Sequence, residues 1–226
     1  MRFKDVFSII GPPMIGPSSS HTAGAVRIGK FARQLFGDKP HMAEITLYGS
    51  FAETYRGHGT DLALAGGILG YGTDDSRIPD SLLAAAAEGI EITFVTGRAP
   101  AKHPNTVHIQ LVNSTHQTTI TGASIGGGSI EISKVDGFDV KISGLYPTLL
   151  IWHKDRPGFI ADISAMLHEH RINIGFMQLD RKGRSGTALT VIEADDFVKD
   201  ELMKAVATIS SVSQTRLIHL EKERRR

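Results

Sequence analysis

The sequence predicts an α+β protein built as two domains. Three observations carry this prediction. Helical apolar spacing dominates up to Glu88, a period of two takes over from Ile90, and a regular strand–helix–strand–strand–helix–strand order follows Gly144. The 226 residues leave room for one large domain or two modest ones.

The elements follow in order. Gly11-Pro12-Pro13-Met14-Ile15-Gly16-Pro17 cannot be helical, because proline removes amide donors and glycine and proline favour turns. After Ser18-Ser19-Ser20-His21-Thr22, the residues Ala25, Ile28, Ala32 and Leu35 share one helical face, with Gly37 as a stop. A strand is expected from Glu44 to Tyr48. Gly49 to Asp61 has little apolar periodicity, and helices are expected at Asp61–Leu69 and Asp80–Glu88. Ile92 and Phe94 begin the alternating pattern, and Val107, Ile109 and Leu111 continue it. Gln117–Thr121, Ser129–Lys134 and Phe138–Ser143 complete a mostly antiparallel sheet.

Gly144-Leu145-Tyr146-Pro147 reads as the boundary, giving domains of 1–144 and 148–220. In the second domain, strands are expected at Thr148–His153, Asn173–Leu179, Thr187–Glu193 and Val212–Leu220. Helices are expected from Asp155-Arg156-Pro157-Gly158 to His170 and at Phe197–Ile209. This βαββαβ order is the ferredoxin-like split βαβ arrangement. Residues 221–226 form a charged tail.

Composition excludes several classes of function. The formal net charge is +1, so there is no basic excess to neutralise nucleic-acid phosphates. The absence of cysteine rules out disulfides, thiol nucleophiles and any cluster held by thiolates of this chain. No apolar run approaches the roughly 18 residues of a membrane span. Met1 to Ile10 lacks a long apolar core and carries Asp5, so it does not read as a signal peptide. A soluble cytoplasmic protein is the expectation.

Four segments carry candidate chemistry. Ser18, Ser19, Ser20, His21 and Thr22 set hydroxyls and amides just before a helix, which suits a carboxylate or phosphate; simple helix capping is the alternative. His58 lies between two glycines and is followed by Thr60 and Asp61. Imidazole suits proton transfer near neutral pH, and a turn capping the next helix is the alternative. The run Gly122-Ala123-Ser124-Ile125-Gly126-Gly127-Gly128 offers backbone amides to an anion or a cofactor, with a glycine-rich hairpin or bulge as the alternative, and it does not match a phosphate-binding loop. Asp155 to Gly158 joins a strand to a helix and, with Asn173-Ile174, can border one groove; a structural turn is the alternative. His168 and His170 are two apart and share no helical face, and there is no metalloprotease motif.

Two resemblances follow from these residues. Lys154 to Gly158, the helix after them and Asn173-Ile174-Gly175 resemble an ACT domain, a module that often binds amino acids between paired copies. Ile15 to Thr22, Tyr48-Gly49-Ser50, Gly57 to Asp61 and Ser124 to Gly128, in that order, resemble the β portion of bacterial iron–sulfur-dependent L-serine dehydratases. That domain fold is shared with allosteric substrate-binding domains. The resemblance implies conversion of L-serine to pyruvate and ammonia, a step of serine catabolism that feeds gluconeogenesis. It implies a [4Fe–4S] cluster held by cysteines of a separate α subunit, and no metal ligand in this chain. His58 and His21 would be catalytic, and Ser18, Ser19, Ser20, His21, Thr22, Thr60 and Asp61 would bind substrate. Asp155, Gly158, Phe159, Asn173 and Ile174 would bind an ACT effector. Pairing through the ACT domain implies self-association, as in an α2β2 complex. A non-catalytic serine-sensing subunit, as in domains beside the ACT domains of some phosphoglycerate dehydrogenases, is the alternative.

Overall fold

The computed structural model describes residues 13–195 and 197–220. The expectations for Met1 to Ile10, Gly11-Pro12 and the charged tail lie outside the described residues. Two compact units are present: the first runs to Gly137 and the second begins at Phe138.

In the first unit, one π-turn, Ser19–Ala23, leads directly into helix α1, Gly24–Phe36. Strand β1 is Met42–Leu47, followed by short helix α2 at Ser50–Thr54 and helix α3 at Thr60–Ile68. A 3₁₀ turn, Ile78–Asp80, opens helix α4, Ser81–Ala87. Strands β2, Glu91–Thr96, β3, Thr106–Val112, β4, Gln117–Gly126, and β5, Ser129–Val135, complete the unit. The strand order is β2-β1-β3-β4-β5. Only β1 and β2 run parallel, with the helices α2 to α4 as their crossover. The remaining neighbours are antiparallel, as the alternation from Ile90 predicts.

Helix α1 buries Ile28, Phe31, Leu35 and Phe36 and lies on the sheet chiefly over β4, with its flanks on β3 and β5. Gly37 ends it in the left-handed conformation at φ 79°, as its position after Phe36 predicts. Helix α3 is apolar on nearly every face because it packs inside the unit. It crosses α1 backbone to backbone. A Cβ on Gly67 would stand 2.2 Å from the Val26 carbonyl oxygen, and one on Gly29 would stand 2.4 Å from that of Leu64.

Helix α2 is absent from the sequence expectation, because five residues are too few to show a 3.6-residue period. The glycine run is a hairpin turn: Gly127 and Gly128 connect β4 to β5 at φ 59° and 77°, values that fit a tight two-residue connection.

The second unit opens with β6, Phe138–Ile142. It continues through β7, Thr148–Lys154, helix α5, Phe159–Glu169, β8, Ile174–Arg181, β9, Thr187–Ala194, helix α6, Asp200–Ala207, and β10, Val212–Ile218. The sheet order β10-β7-β9-β8, all antiparallel neighbours, is the ferredoxin-like arrangement read from the sequence. Leu149, Ile151 and Ile192 meet Phe159, Ile163, Leu167, Leu202 and Val206 from the two helices. On the opposite face, Glu193 accepts 2.8 Å hydrogen bonds from both the amide and the hydroxyl of Ser143.

Both helices are shorter than expected. Helix α5 begins after Pro157, because Gly158 caps it at φ 80°, a left-handed value that favours glycine. Helix α6 begins at Asp200 rather than Phe197, which stays 51 % exposed.

Candidate active site

The π-turn at Ser19–Ala23 is the frame of the candidate site. Ser18 caps it, its hydroxyl accepting from the His21 amide at 3.3 Å, and the Thr22 amide donates to the Ser18 carbonyl at 2.8 Å. The following helix is seated by Gly24, whose added Cβ would lie 2.0 Å from the Ser124 hydroxyl on β4. This close approach explains the glycine within the Ala23-Gly24-Ala25 step. Ser18 therefore serves as a cap, and the turn it caps carries His21 and Thr22.

The turn brings His21 to His58. Their rings stand 4.9 Å apart, centre to centre, tilted by 36°. Burial, and then the neighbouring His58, hold the His21 imidazole below its ordinary value, so the neutral form is favoured. The fully buried Phe51 meets His21 edge-on at 5.3 Å. His21 Nδ1 lies 3.4 Å from the Ser18 hydroxyl, and Nε2 lies 3.3 Å from the Ser50 hydroxyl. His58 itself is exposed, on the turn between α2 and α3, where Gly59 adopts φ 66°.

A cavity of about 170 Å³ opens beside these groups, with Gly16, Thr22, His58, Gly59, Leu62 and Ile78 in its walls. Thr22 is 2 % exposed, and its hydroxyl has no protein partner among the described residues. A buried hydroxyl of this kind is costly unless something bonds it, while Ile15, Pro17, Leu62, Ile78 and Pro79 make most of the cavity wall apolar and His58 is its titratable group. Gly16 is required there: its added Cβ would stand 2.4 Å from the Thr22 hydroxyl oxygen.

The other predicted residues fall around this centre. Ser19 and Ser20 are half-buried within the π-turn. Thr60 is fully buried at the start of α3, its hydroxyl also unpartnered among the described residues. Asp61 is raised above the usual carboxylate range by burial, against the lowering effect of the Leu62 amide that it accepts at 2.9 Å. Neither Thr60 nor Asp61 is in the cavity wall. Ser50, in the Tyr48-Gly49-Ser50 segment that carries the resemblance, joins these residues in the structure, its hydroxyl 3.3 Å from His21 Nε2. Its signal is the strand-end glycine that turns the chain into a helix.

The chain has no cysteine, and among the described residues no three His, Cys, Asp or Glu side chains are grouped to hold a metal ion.

In the second unit the five predicted residues do not form one groove within a chain. Register places Ile174 beside Ala194, at the end of the sheet where Thr148 begins β7. Asp155 follows β7 at the other end, roughly 20 Å away at about 3.3 Å per residue along the strand. There it binds Arg181 at 3.1 Å and accepts from the Ser185 amide at 3.2 Å, and these contacts hold its carboxyl below the ordinary range. Asn173 donates to Asp195. Phe159 is a core residue, stacked on the buried His153 at 3.4 Å.

Comparison with known proteins finds two families along the chain. The family described as serine dehydratase beta chain matches residues 3–89, and the ACT domain family matches residues 147–210. The chain is 45 % identical to the probable L-serine dehydratase beta chain of Bacillus subtilis, over 95 % of this chain and 97 % of that one. It is 33 % identical to the L-serine dehydratase beta chain of Peptoniphilus asaccharolyticus, over 97 % and 100 % of the two chains. A D-3-phosphoglycerate dehydrogenase of Synechocystis is 23 % identical over 87 % of this chain, but over only 36 % of its own length. Because identity of that level runs through both units and nearly end to end in the two beta chains, this chain belongs to the family of L-serine dehydratase beta chains and ends in an ACT domain.

Proposed function

We propose that this chain is the β subunit of an L-serine dehydratase, an ammonia-lyase that converts L-serine to pyruvate and ammonia in complex with a cysteine-bearing α subunit. The observation that carries the reading is a small cavity walled by His58 and by Thr22, whose hydroxyl is unpartnered among the described residues, with the His21 ring behind that of His58 at 4.9 Å. The complex is cytoplasmic and assembles as α2β2 through paired ACT domains.

The chemistry assigns separate tasks. Hydroxyls and amides of Ser18 to Thr22 receive the substrate carboxylate. His58, exposed and unbonded through its ring among the described residues, takes the weakly acidic Cα proton. His21, held neutral, donates one hydrogen bond and accepts another, and keeps a second positive charge away from His58 once that ring is protonated. When bound, the [4Fe–4S] cluster of the α subunit supplies an iron that acts as a Lewis acid on the departing hydroxyl. Thr60 and Asp61 hold the start of α3 and thereby the His58 turn. An effector of the ACT domain sits between two copies, touching Asp155 and Gly158 of one and Asn173 and Ile174 of the other, because a single copy separates these ends; Phe159, buried in the core, supports that loop from below.

The test is an anaerobic pyruvate assay with L-serine on the chain copurified with its cysteine-bearing partner. Turnover that needs both chains is expected. The His58→Asn variant should lower kcat by about 100-fold or more, as loss of a general base does. Serine binding by the isolated chain, with no partner and no turnover, would replace this reading with a sensing subunit.

A further inference from the structure

The chain turns sharply from β1 into α2, and a serine stands at the turn. Gly49 adopts φ 54° and ψ −130°, and a Cβ there would stand 2.6 Å from the Pro104 carbonyl oxygen and 2.9 Å from the Pro104 Cα. Both the dihedral angles and the packing therefore restrict this position to glycine. The next residue, Ser50, is fixed from two sides. Thr54 donates its hydroxyl to the Ser50 carbonyl at 2.7 Å, and the adjacent Phe51 is fully buried. The Ser50 hydroxyl then reaches His21 Nε2 at 3.3 Å, while Ser18 faces Nδ1 at 3.4 Å.

We propose that Ser50 is a positioning residue that, with Ser18, clamps the His21 ring between two hydroxyls and selects one of its tautomers. A neutral imidazole carries one donor and one acceptor nitrogen; the Ser18 hydroxyl already accepts from the His21 amide and so turns its own proton to Nδ1, which leaves Nε2 to carry the ring proton and donate it to Ser50. The ring has an apolar neighbour in Phe51 and a second imidazole in His58, so the two serines are its hydrogen-bonding partners among the described residues. Without Ser50, Nε2 is left without a protein partner and the ring is free to turn away from His58. Its catalytic consequence rests on the dehydratase reading, whereas the clamp itself does not.

Two measurements test this. In the copurified complex, Ser50→Ala should lower kcat on the order of tenfold to a hundredfold, as loss of a group that orients a catalytic one does, with little change in KM. Ser50→Thr, which keeps the hydroxyl, should recover most of that loss. In ¹⁵N-histidine NMR of the full chain, His21 should show the separated nitrogen shifts of one tautomer, and S50A should show averaged shifts. Should alanine disturb the helix start, Ser50→Cys, of similar size and a weak donor, makes the same comparison. Averaged shifts in the unaltered protein, or an S50A variant matching it in both rate and tautomer, would overturn the proposal. A complex with no turnover would overturn the dehydratase reading alone, and the NMR signature would still decide the clamp.

Discussion

His21, His108 and His153 share one property: burial, the largest cause in each case, holds the imidazole below the ordinary 6.5. For His153 the hydrogen-bond set is complete. Its Nδ1 lies 3.0 Å from the Lys154 carbonyl, so it carries the proton there, and Nε2 accepts from the Thr190 hydroxyl at 2.9 Å. His108 pairs with the Thr121 hydroxyl at 3.0 Å. The consequence for stability has a definite sign. Below 6.5 the unfolded chain takes up protons that these folded sites resist, so unfolding gains as pH falls. Stability contributed by the neutral imidazoles is therefore full above 6.5 and is lost as pH falls from there through the lower folded values. The midpoint of urea unfolding should drop between about pH 7.5 and about pH 5.5. A midpoint that stays level or rises over that interval would contradict the assignment of these rings as neutral.

At the scale of elements, the α1–α3 crossing positions the site, because the π-turn precedes α1 and the His58 turn precedes α3. The crossing has no room for a side chain at Gly67, whose missing Cβ faces the Val26 carbonyl at 2.2 Å and the Lys30 amide nitrogen at 2.7 Å. Both are backbone atoms that cannot rotate away, so a methyl group there must push the helices apart. Gly67→Ala is expected to destabilise the first unit by about 3 kcal/mol, at the upper end of ordinary overpacking. Thermal unfolding should show it as a fall on the order of 10 °C, and turnover should fall with it as His58 moves relative to His21. Gly70→Ala, at φ 85° with nothing within 4 Å of the added Cβ, is the control: its cost comes from backbone strain alone and should be the smaller of the two.

At the scale of the whole molecule, the proposed function calls for further chains. A thiolate-held cluster cannot be supplied by a chain with no cysteine. The register of the ACT sheet separates Asp155 from Ile174 along its length, so the proposed effector site needs two paired copies. Sedimentation velocity of the full chain should accordingly give the mass of two copies. A monomer under conditions where the second unit is folded would remove the shared effector groove. No helix among the described residues is long and apolar enough to cross a membrane.

Much of this was legible in the sequence, for stated physical reasons. Alternation and helical spacing are local consequences of which face is buried. They located β1 to β5, helix α1 and the βαββαβ order of the second unit without reference to any distant residue. Glycine and proline punctuation located the hairpin at Gly127-Gly128 and the turns around His21 and His58, because the preferences of these residues act within a few positions. Zero cysteine likewise excluded a self-held cluster. Only the tertiary structure decided which of these segments meet. The pairing of His21 with His58 depends on two helices crossing through Gly29 and Gly67, and nothing local to either histidine records that crossing. Ser50 became visible only because a blocked Cβ at Gly49, set by the distant Pro104, aims the next hydroxyl at His21. Conversely, the strand register carried the Asp155 loop away from Asn173 and Ile174. Local preferences are written residue by residue, whereas contact between distant residues is settled by packing.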